Sequence, residues 1–310
     1  MSDQDNQSYE WSMPNPVDFV PQRVVSLVPS LTLSLFDLNL ADRLVGITDY
    51  CTRPADRVQN IPKVGGTKNP DLAKIMALQP DLVLMNQEEN RREDAEALQQ
   101  AGIPLWITEP RTVQDAINVL WELMDIFDDA SYSERVRIME KTLDVVKLAM
   151  SNQPPIRTFV PIWRDPWMTF NQATYMHDVL RTFGLENVFA ERERQFPLQA
   201  DLGEIEPLPD GDSRAAGRDT RYPRISLDEI IAAQPELILL PDEPYLFQET
   251  DAEELYQLDM PAAHLGHIYL IDGSLLSWHG TRFAFTLTEL PPMLEEVHEK
   301  LGHTHEDESD

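Results

Sequence analysis

Two stretches decide how this chain is read: Leu72-Ala73-Lys74-Ile75-Met76-Ala77-Leu78-Gln79-Pro80-Asp81-Leu82-Val83-Leu84 and Leu227-Asp228-Glu229-Ile230-Ile231-Ala232-Ala233-Gln234-Pro235-Glu236-Leu237-Ile238-Leu239. Aligned without a gap, seven of the thirteen positions are identical and three more are conservative. Each copy reads as a helix, a Gln-Pro stop and a buried apolar strand. The copies lie 155 residues apart in a chain of 310. Two copies at that period cannot make a solenoid, which needs several short repeats. They fit two lobes built alike.

The flanking sequence supports the same architecture. Arg23-Val24-Val25-Ser26-Leu27-Val28 is a short β-branched run ended by Pro29. Further strands are expected at 44–48, 82–85 and 105–108, with helices at 71–78 and 93–100 between them. Strand alternating with helix at this pace means a parallel sheet covered on both faces. Residues 112–150 hold no proline or glycine. Their apolar residues recur at helical spacing, with a break at Asp128-Asp129-Ala130-Ser131, so two long helical segments are expected. After Pro154-Pro155 the alternation resumes. Strands are expected at 158–160, 237–240 and 268–271, with helices at 175–183 and 227–233.

The fold class is therefore α/β: two like lobes with parallel sheets, joined by a long interdomain helix, with a ligand cleft between the lobes. Ligands favour domain interfaces and the carboxyl ends of parallel strands. The expected organisation is a disordered arm at 1–20, an N-terminal lobe at 21–111 and a helical segment at 112–153 containing the interdomain backbone helix. A C-terminal lobe follows at 154–297, with a flexible insertion at 201–217 rich in Gly, Pro and acids. A disordered tail is expected at 298–310.

Charge narrows the partners. The chain has 25 Lys+Arg against 54 Asp+Glu, a formal net of −29. Such a field repels nucleic acid and anionic membrane surfaces. No window approaches the roughly 18 apolar residues of a membrane span. The opening residues Met1-Ser2-Asp3-Gln4-Asp5-Asn6-Gln7-Ser8 lack the basic and apolar regions of a signal peptide, which reads as cytoplasmic. A monomer is expected. The single cysteine, Cys51, excludes an internal disulfide. A thiolate or metal role for it is weighed against the commoner inert thiol.

The segments Arg23–Ser30, Asp42–Cys51, Val64-Gly65-Gly66 and Leu78–Val83, in that order, resemble the substrate-binding proteins with a helical backbone between two lobes. Those proteins serve ABC importers of cobalamin, ferric siderophores and haem. The resemblance runs from about Arg23 to Val297, and Ser277-Trp278-His279-Gly280-Thr281-Arg282 fits it as well. Within the family the chain looks closest to the cobalamin-binding branch. The resemblance implies two Rossmann-like lobes, a metal chelate as ligand and no covalently bound cofactor. It also implies an ABC permease as partner, an extracytoplasmic location in place of the cytoplasmic one, and no catalytic activity.

Carried over by position, the resemblance places ligand contacts at Tyr50, at Thr67 (where the cobalamin receptor has a tryptophan), on the Trp163–Thr169 loop including Trp167, at Tyr222, and at Trp278 and Arg282. The family docks through a glutamate at the head of the repeated helix in each lobe. Here those positions are Ala73 and Asp228, so Asp228 is the docking candidate. Two other readings stand beside the importer. One is a cytoplasmic corrinoid- or chelate-binding protein that buffers, senses or hands over its ligand. The other is an enzyme acting on a tetrapyrrole in the same cleft.

The residue chemistry fits a flat chelate. Tyr50, Trp163, Trp167, Tyr222 and Trp278 lie on loops, where stacking adds about 0.5–1.5 kcal/mol per aromatic pair. Trp106 and Trp121 sit inside periodic segments and read as core. Arg164 and Arg282 could grip carboxylate, amide or phosphate groups through the guanidinium fork, the alternative being ion pairs within an acidic protein. Glu88-Glu89-Asn90-Arg91-Arg92 reads as a strand-end run or a solvated helix start. His264 and His267, and His298, His303 and His305, lack the converging ligands a metal site needs. No nucleophile elbow, phosphate loop or dinucleotide fingerprint is present.

Overall fold

The computed structural model of the chain describes residues 17–151, 153–209 and 211–307. It divides into two compact units. The first takes the residues through Pro110, then Gln114–Arg137 and His279–Thr281. The second takes Arg111–Val113, Ile138–Trp278 and the residues from Arg282 onward.

In the first unit the order is β1 (Val24–Ser26), α1 (Pro29–Asp37), β2 (Leu44–Ile47), α2 (Leu72–Ala77), β3 (Leu82–Asn86), α3 (Arg92–Gln100), β4 (Leu105–Thr108) and α4 (Val113–Ile126). The helix α5 (Ser133–Met150) follows, and the division between units falls within it, after Arg137. In the second unit come β5 (Ile156–Phe159), α6 (Tyr175–Thr182), β6 (Leu185–Asn187), α7 (Leu198–Asp201), α8 (Leu227–Ala233), β7 (Leu237–Pro241), α9 (Glu249–Leu255), α10 (Pro261–Leu265), β8 (Ile268–Ile271), α11 (Ser274–Ser277) and α12 (Phe283–Asp307).

Each unit holds a four-stranded sheet, ordered β2-β1-β3-β4 in one and β6-β5-β7-β8 in the other. Every pairing is parallel. The two repeated strands, β3 and β7, hold the same place in these orders. All five residues of each are buried, as strands covered on both faces require. Ile75 and Ile230, matched in the repeat, are both fully buried beneath their sheets. The expected α/β class with two parallel-sheet lobes is what the chain adopts.

The shared Gln-Pro stop has a backbone cause. Gln79 and Gln234 both have positive φ, 49° and 44°. A left-handed residue ends a helix, and the proline after it cannot continue one. A polar clamp completes the duplication. The Asp81 carboxylate accepts the backbone N–H groups of Gln22 (2.8 Å) and Arg23 (2.9 Å), and the Arg23 guanidinium donates to the carbonyls of Gln79 and Leu78. In the second unit Glu236 accepts the Arg157 N–H at 2.9 Å, and the Arg157 guanidinium donates to the Ala233 carbonyl at 2.7 Å. Asp81 matches Glu236 and Leu78 matches Ala233 in the repeat.

Three expectations need correction. The tail expected to be loose from 298 is helical through Asp307. Helix α12 runs on through Pro291 and Pro292. The insertion expected from 201 is anchored at its start. Asp201 is fully buried and accepts the N–H groups of Gln195 (2.9 Å) and Arg224 (2.8 Å). The helical segment at 112–153 is not a separate body, since α4 belongs mostly to the first unit and α5 mostly to the second. Of the expected arm at 1–20, residues 1–16 lie outside the described residues, as do the side chains of His303 and His305.

Candidate functional site

The loops that follow the parallel strands carry most of the candidate residues. In the first unit Tyr50 sits in the turn after β2, with 62% of its surface exposed. The ring lies along the backbone at Gly66, where a Cβ would come within 3.3 Å of it. Thr67 is half-buried, and its carbonyl accepts a 3.0 Å hydrogen bond from the Asn90 amide. The same amide bonds the Leu27 carbonyl (3.1 Å), tying the loop after β3 to the end of β1. Asn90 is therefore a fastener between loops, and Lys68 donates to the Glu88 carbonyl at 2.6 Å beside it.

Cys51 next to Tyr50 is fully buried. Its sulfur lies 3.1 Å from the hydroxyls of Thr32 and Thr48, and burial pushes its thiol pKa up. That is the chemistry of an inert thiol.

In the second unit residues 162–168 double back, with Ile162 N–H bonding the Met168 carbonyl and Met168 N–H the Trp163 carbonyl. Trp163 is 44% exposed and meets Tyr245 edge-on at 5.6 Å. Tyr245 leans on Phe247 at 4.7 Å, and Phe247 stacks on Trp167 at 5.8 Å with the rings 8° from parallel. Trp167 is only 7% exposed and belongs to the core with Phe159, Ile225 and Ile238. Expected on a ligand surface, it is the buried end of an aromatic row whose exposed end is Trp163. Arg164 lies over the Trp167 ring at 5.3 Å and forms ion pairs with Asp251 and Glu254 on α9. Its guanidinium is spent inside the lobe, the ion-pair alternative weighed from the sequence.

The last loop also departs from expectation. Arg282 is 7% exposed, donating to Asp272 at 2.7 Å and to the Ser274 hydroxyl at 2.8 Å. Trp278 is buried as well and hydrogen-bonds Glu243. Between them, His279–Thr281 packs in the first unit. The His279 ring nitrogen Nδ1 is 3.0 Å from the Ser30 hydroxyl, and Thr281 bonds Ser34 and Asp37. Gly280 has φ +74° and no room for a Cβ, which would fall 2.3 Å from the Ser34 oxygen. Trp278 and Arg282, expected to face a ligand, are thus engaged in hydrogen bonds of their own. Tyr222 is half-buried, with Arg221 over its ring at 5.4 Å.

Two residues escaped the sequence reading. Tyr245 lies in the loop that follows the repeated strand β7, four residues past its end. Glu243 lies in the same loop, accepts from the Ser277 hydroxyl at 3.0 Å, and is pushed above the usual carboxylate range by burial. Asp228 is exposed in the first turn of α8, which is closed by a Ser226–Glu229 capping box, and Ala73 is exposed on α2. His264 pairs with Asp259 at 3.4 Å, whereas buried His267 bonds the Glu236 carbonyl. Among the described residues no cluster of three His, Cys or acidic side chains is arranged to hold a metal ion, and no helix is long and apolar enough to cross a membrane.

Residues 24–275 match the family described as periplasmic binding protein. A vitamin B12-binding protein of Vibrio parahaemolyticus is 22% identical over 280 residues, covering 90% of this chain and 91% of the relative. One of Pectobacterium carotovorum is 23% identical over 234 residues, covering 73% of each. The periplasmic vitamin B12 binding protein BtuF of Vibrio cholerae has a similar fold, with a TM-score of 0.69, 17% identity, and coverage of 92% of this chain and 98% of that one. The periplasmic heme-binding protein RhuT from Roseiflexus sp. RS-1 has a TM-score of 0.68 at 21% identity, covering 89% and 99%.

Proposed function

We propose that this chain, which belongs to the periplasmic binding protein family, is the substrate-binding protein of an ABC-type importer and takes a metal chelate, cobalamin or another corrinoid, haem or a ferric siderophore. The observation that carries this reading is the agreement between the family match and full-length relatives named for vitamin B12. The family is one of binding proteins, which leaves no support for the enzyme alternative. The cytoplasmic reading of the first residues likewise finds no support in a family described as periplasmic, and an extracytoplasmic location fits the importer role.

Ligand contact falls to the exposed loop aromatics, Tyr50 and Trp163, with Thr67 and Tyr222 beside them. A flat macrocycle gains from rings with a packed neighbour, and each ring has one: Tyr50 lies against the backbone at Gly66 and Trp163 against Tyr245. Arg164 and Trp167 hold the Trp163 loop from behind, and Trp278 and Arg282 brace the loop before α12. Asp228 meets a cationic group on the permease, and Ala73 gives the first unit no matching carboxylate.

The test is a fluorescence titration of the protein with cobalamin, cobinamide, haem and a panel of ferric siderophores. Saturable quenching by one chelate is expected. It should weaken in Tyr50→Ala and Trp163→Ala, which leave the core intact. Silence across the panel would sink the reading.

A further inference from the structure

In a chain with 54 acidic and 25 basic residues, every arginine should find a carboxylate. One stretch of the second unit gathers several arginines and leaves part of them without such a partner. Five arginines gather there: Arg192, Arg194, Arg218, Arg221 and Arg224. Two are neutralised. Arg192 pairs with Glu229 (3.1 Å) and Asp201 (3.3 Å), and Arg221 pairs with Asp219 (2.8 Å). Arg194, Arg218 and Arg224 pair with no carboxylate among the described residues.

Their surroundings sharpen the point. Arg194 and Arg218 lie over the buried Phe196 ring at 4.9 and 4.2 Å. Among the described residues the Arg224 guanidinium reaches only the Tyr222 carbonyl, at 3.4 Å. The Nε atoms of Arg194 and Arg224 are buried without a hydrogen-bond partner. Arg194 is pushed below the usual arginine range by burial first, then by the charges of Arg224 and Arg218. Asp201 and Asp219 offset part of this crowding. Their oxygens, however, are already held by Arg192, by Arg221 and by the N–H groups of Gln195, Arg224 and Arg221. A buried donor without an acceptor is costly, and three like charges together are costlier still, unless an anion completes them.

We propose that Arg194, Arg218 and Arg224 form an oxyanion-binding site that takes a carboxylate or phosphate group. The planar guanidinium suits such groups, since it offers two parallel N–H donors to two oxygens. Arg224 stands two residues from Tyr222 along the chain, and Arg218 is exposed, so the anion arrives from solvent. The inference leans on the chelate reading only for the source of the anion: haem carries carboxylates and cobalamin a phosphodiester.

Two measurements separate the site from that reading. The first follows thermal unfolding in inorganic phosphate against sodium chloride of equal ionic strength. Phosphate should raise Tm beyond chloride in the wild type and in Arg214→Gln, whose arginine is paired with Asp212 in the same loop. The gain should disappear in Arg218→Gln, which is exposed and leaves the core untouched, and in Arg194→Lys, which keeps the charge but loses the fork. The second titrates haem against its dimethyl ester. Haem should bind about tenfold or more tightly, as a charge-assisted hydrogen bond requires, and Arg218→Gln should erase the difference. Phosphate no better than chloride, together with equal binding of haem and diester, would overturn the proposal. Phosphate protection that tracks the arginines while every chelate fails to bind would keep the site and overturn the importer reading. Chelate binding that no arginine variant alters would do the reverse.

Discussion

Replacing Trp167 by alanine should damage stability far more than replacing Trp163, although the two stand four residues apart on one loop. Trp167 is nearly enclosed, packed with Phe159 and Ile225 and stacked on Phe247. A buried indole covers on the order of 150–250 Å², worth about 4–6 kcal/mol at 25 cal/mol/Å². Large-to-small substitutions of buried aromatics cost about 3–5 kcal/mol, so the two estimates meet. Arg164 loses the ring beneath it, adding about 0.5–1 kcal/mol. Trp163 is half in solvent and has one edge-on partner, so its removal should cost about 1 kcal/mol. Urea unfolding followed by far-UV circular dichroism measures both. The midpoint of Trp167→Ala should fall by a large fraction of the wild-type value, and that of Trp163→Ala only slightly. A Trp167→Ala protein of wild-type stability that no longer bound chelate would refute the argument and return Trp167 to the ligand surface.

Three further outcomes follow from named groups. Burial holds His279 down to about 4, below the 6.5 of the unfolded chain, so the unfolded state binds the extra proton between those values. The contribution is therefore complete above pH 6.5 and lost as pH falls toward 4, on the order of 3 kcal/mol at most. His177, His267 and His298 are shifted the same way, so the check is whether His279→Asn flattens part of the stability–pH curve in that window. Cys51 should resist a thiol reagent at pH 8 until the protein unfolds, and labelling at the rate of a free thiol would contradict its burial. Gln79→Gly should stabilise by about 0.5–1 kcal/mol, because glycine adopts positive φ without penalty. Gln234→Gly should gain less, since it sacrifices side-chain bonds to the Ile231 (2.8 Å) and Asp259 (3.1 Å) carbonyls, and a thermal scan of both variants compares them.

The parts of the fold that were legible were those that repeat or that are continuously apolar. Strand β7, with five buried residues, announced itself in Leu237-Ile238-Leu239-Leu240. Strand β6 did not. It is three residues long with Glu186 exposed at its centre, and only its pairing with β5 makes it a strand. Helix α12 was hidden by Pro291 and Pro292, whose local chemistry says stop while Leu287, Leu290, Leu294 and Val297 bury one face. At the candidate site, placement on a loop was legible, whereas the difference in burial between one loop aromatic and the next was not. Trp163 and Trp167 look alike as sequence, and what separates them is Phe247, eighty residues downstream. Arg164 and Arg282 show the same limit, since their partners Asp251 and Asp272 are just two among many acids.

The clamp of Arg23 with Asp81, and its counterpart of Arg157 with Glu236, bears on how this protein tolerates rearrangement. Apolar positions between the two copies have drifted, Met76 against Ile231 and Val83 against Ile238, while the acid after the proline still reaches the same kind of backbone N–H. Each fastener draws all its parts from one half of the chain, so neither half borrows its strand register from the other. In strand register, the two halves can accordingly be treated as separate cassettes. A chimera joined within 112–153, carrying one half from a relative that keeps its own arginine and acid, should inherit a correctly threaded sheet in both halves whatever it does to the ligand.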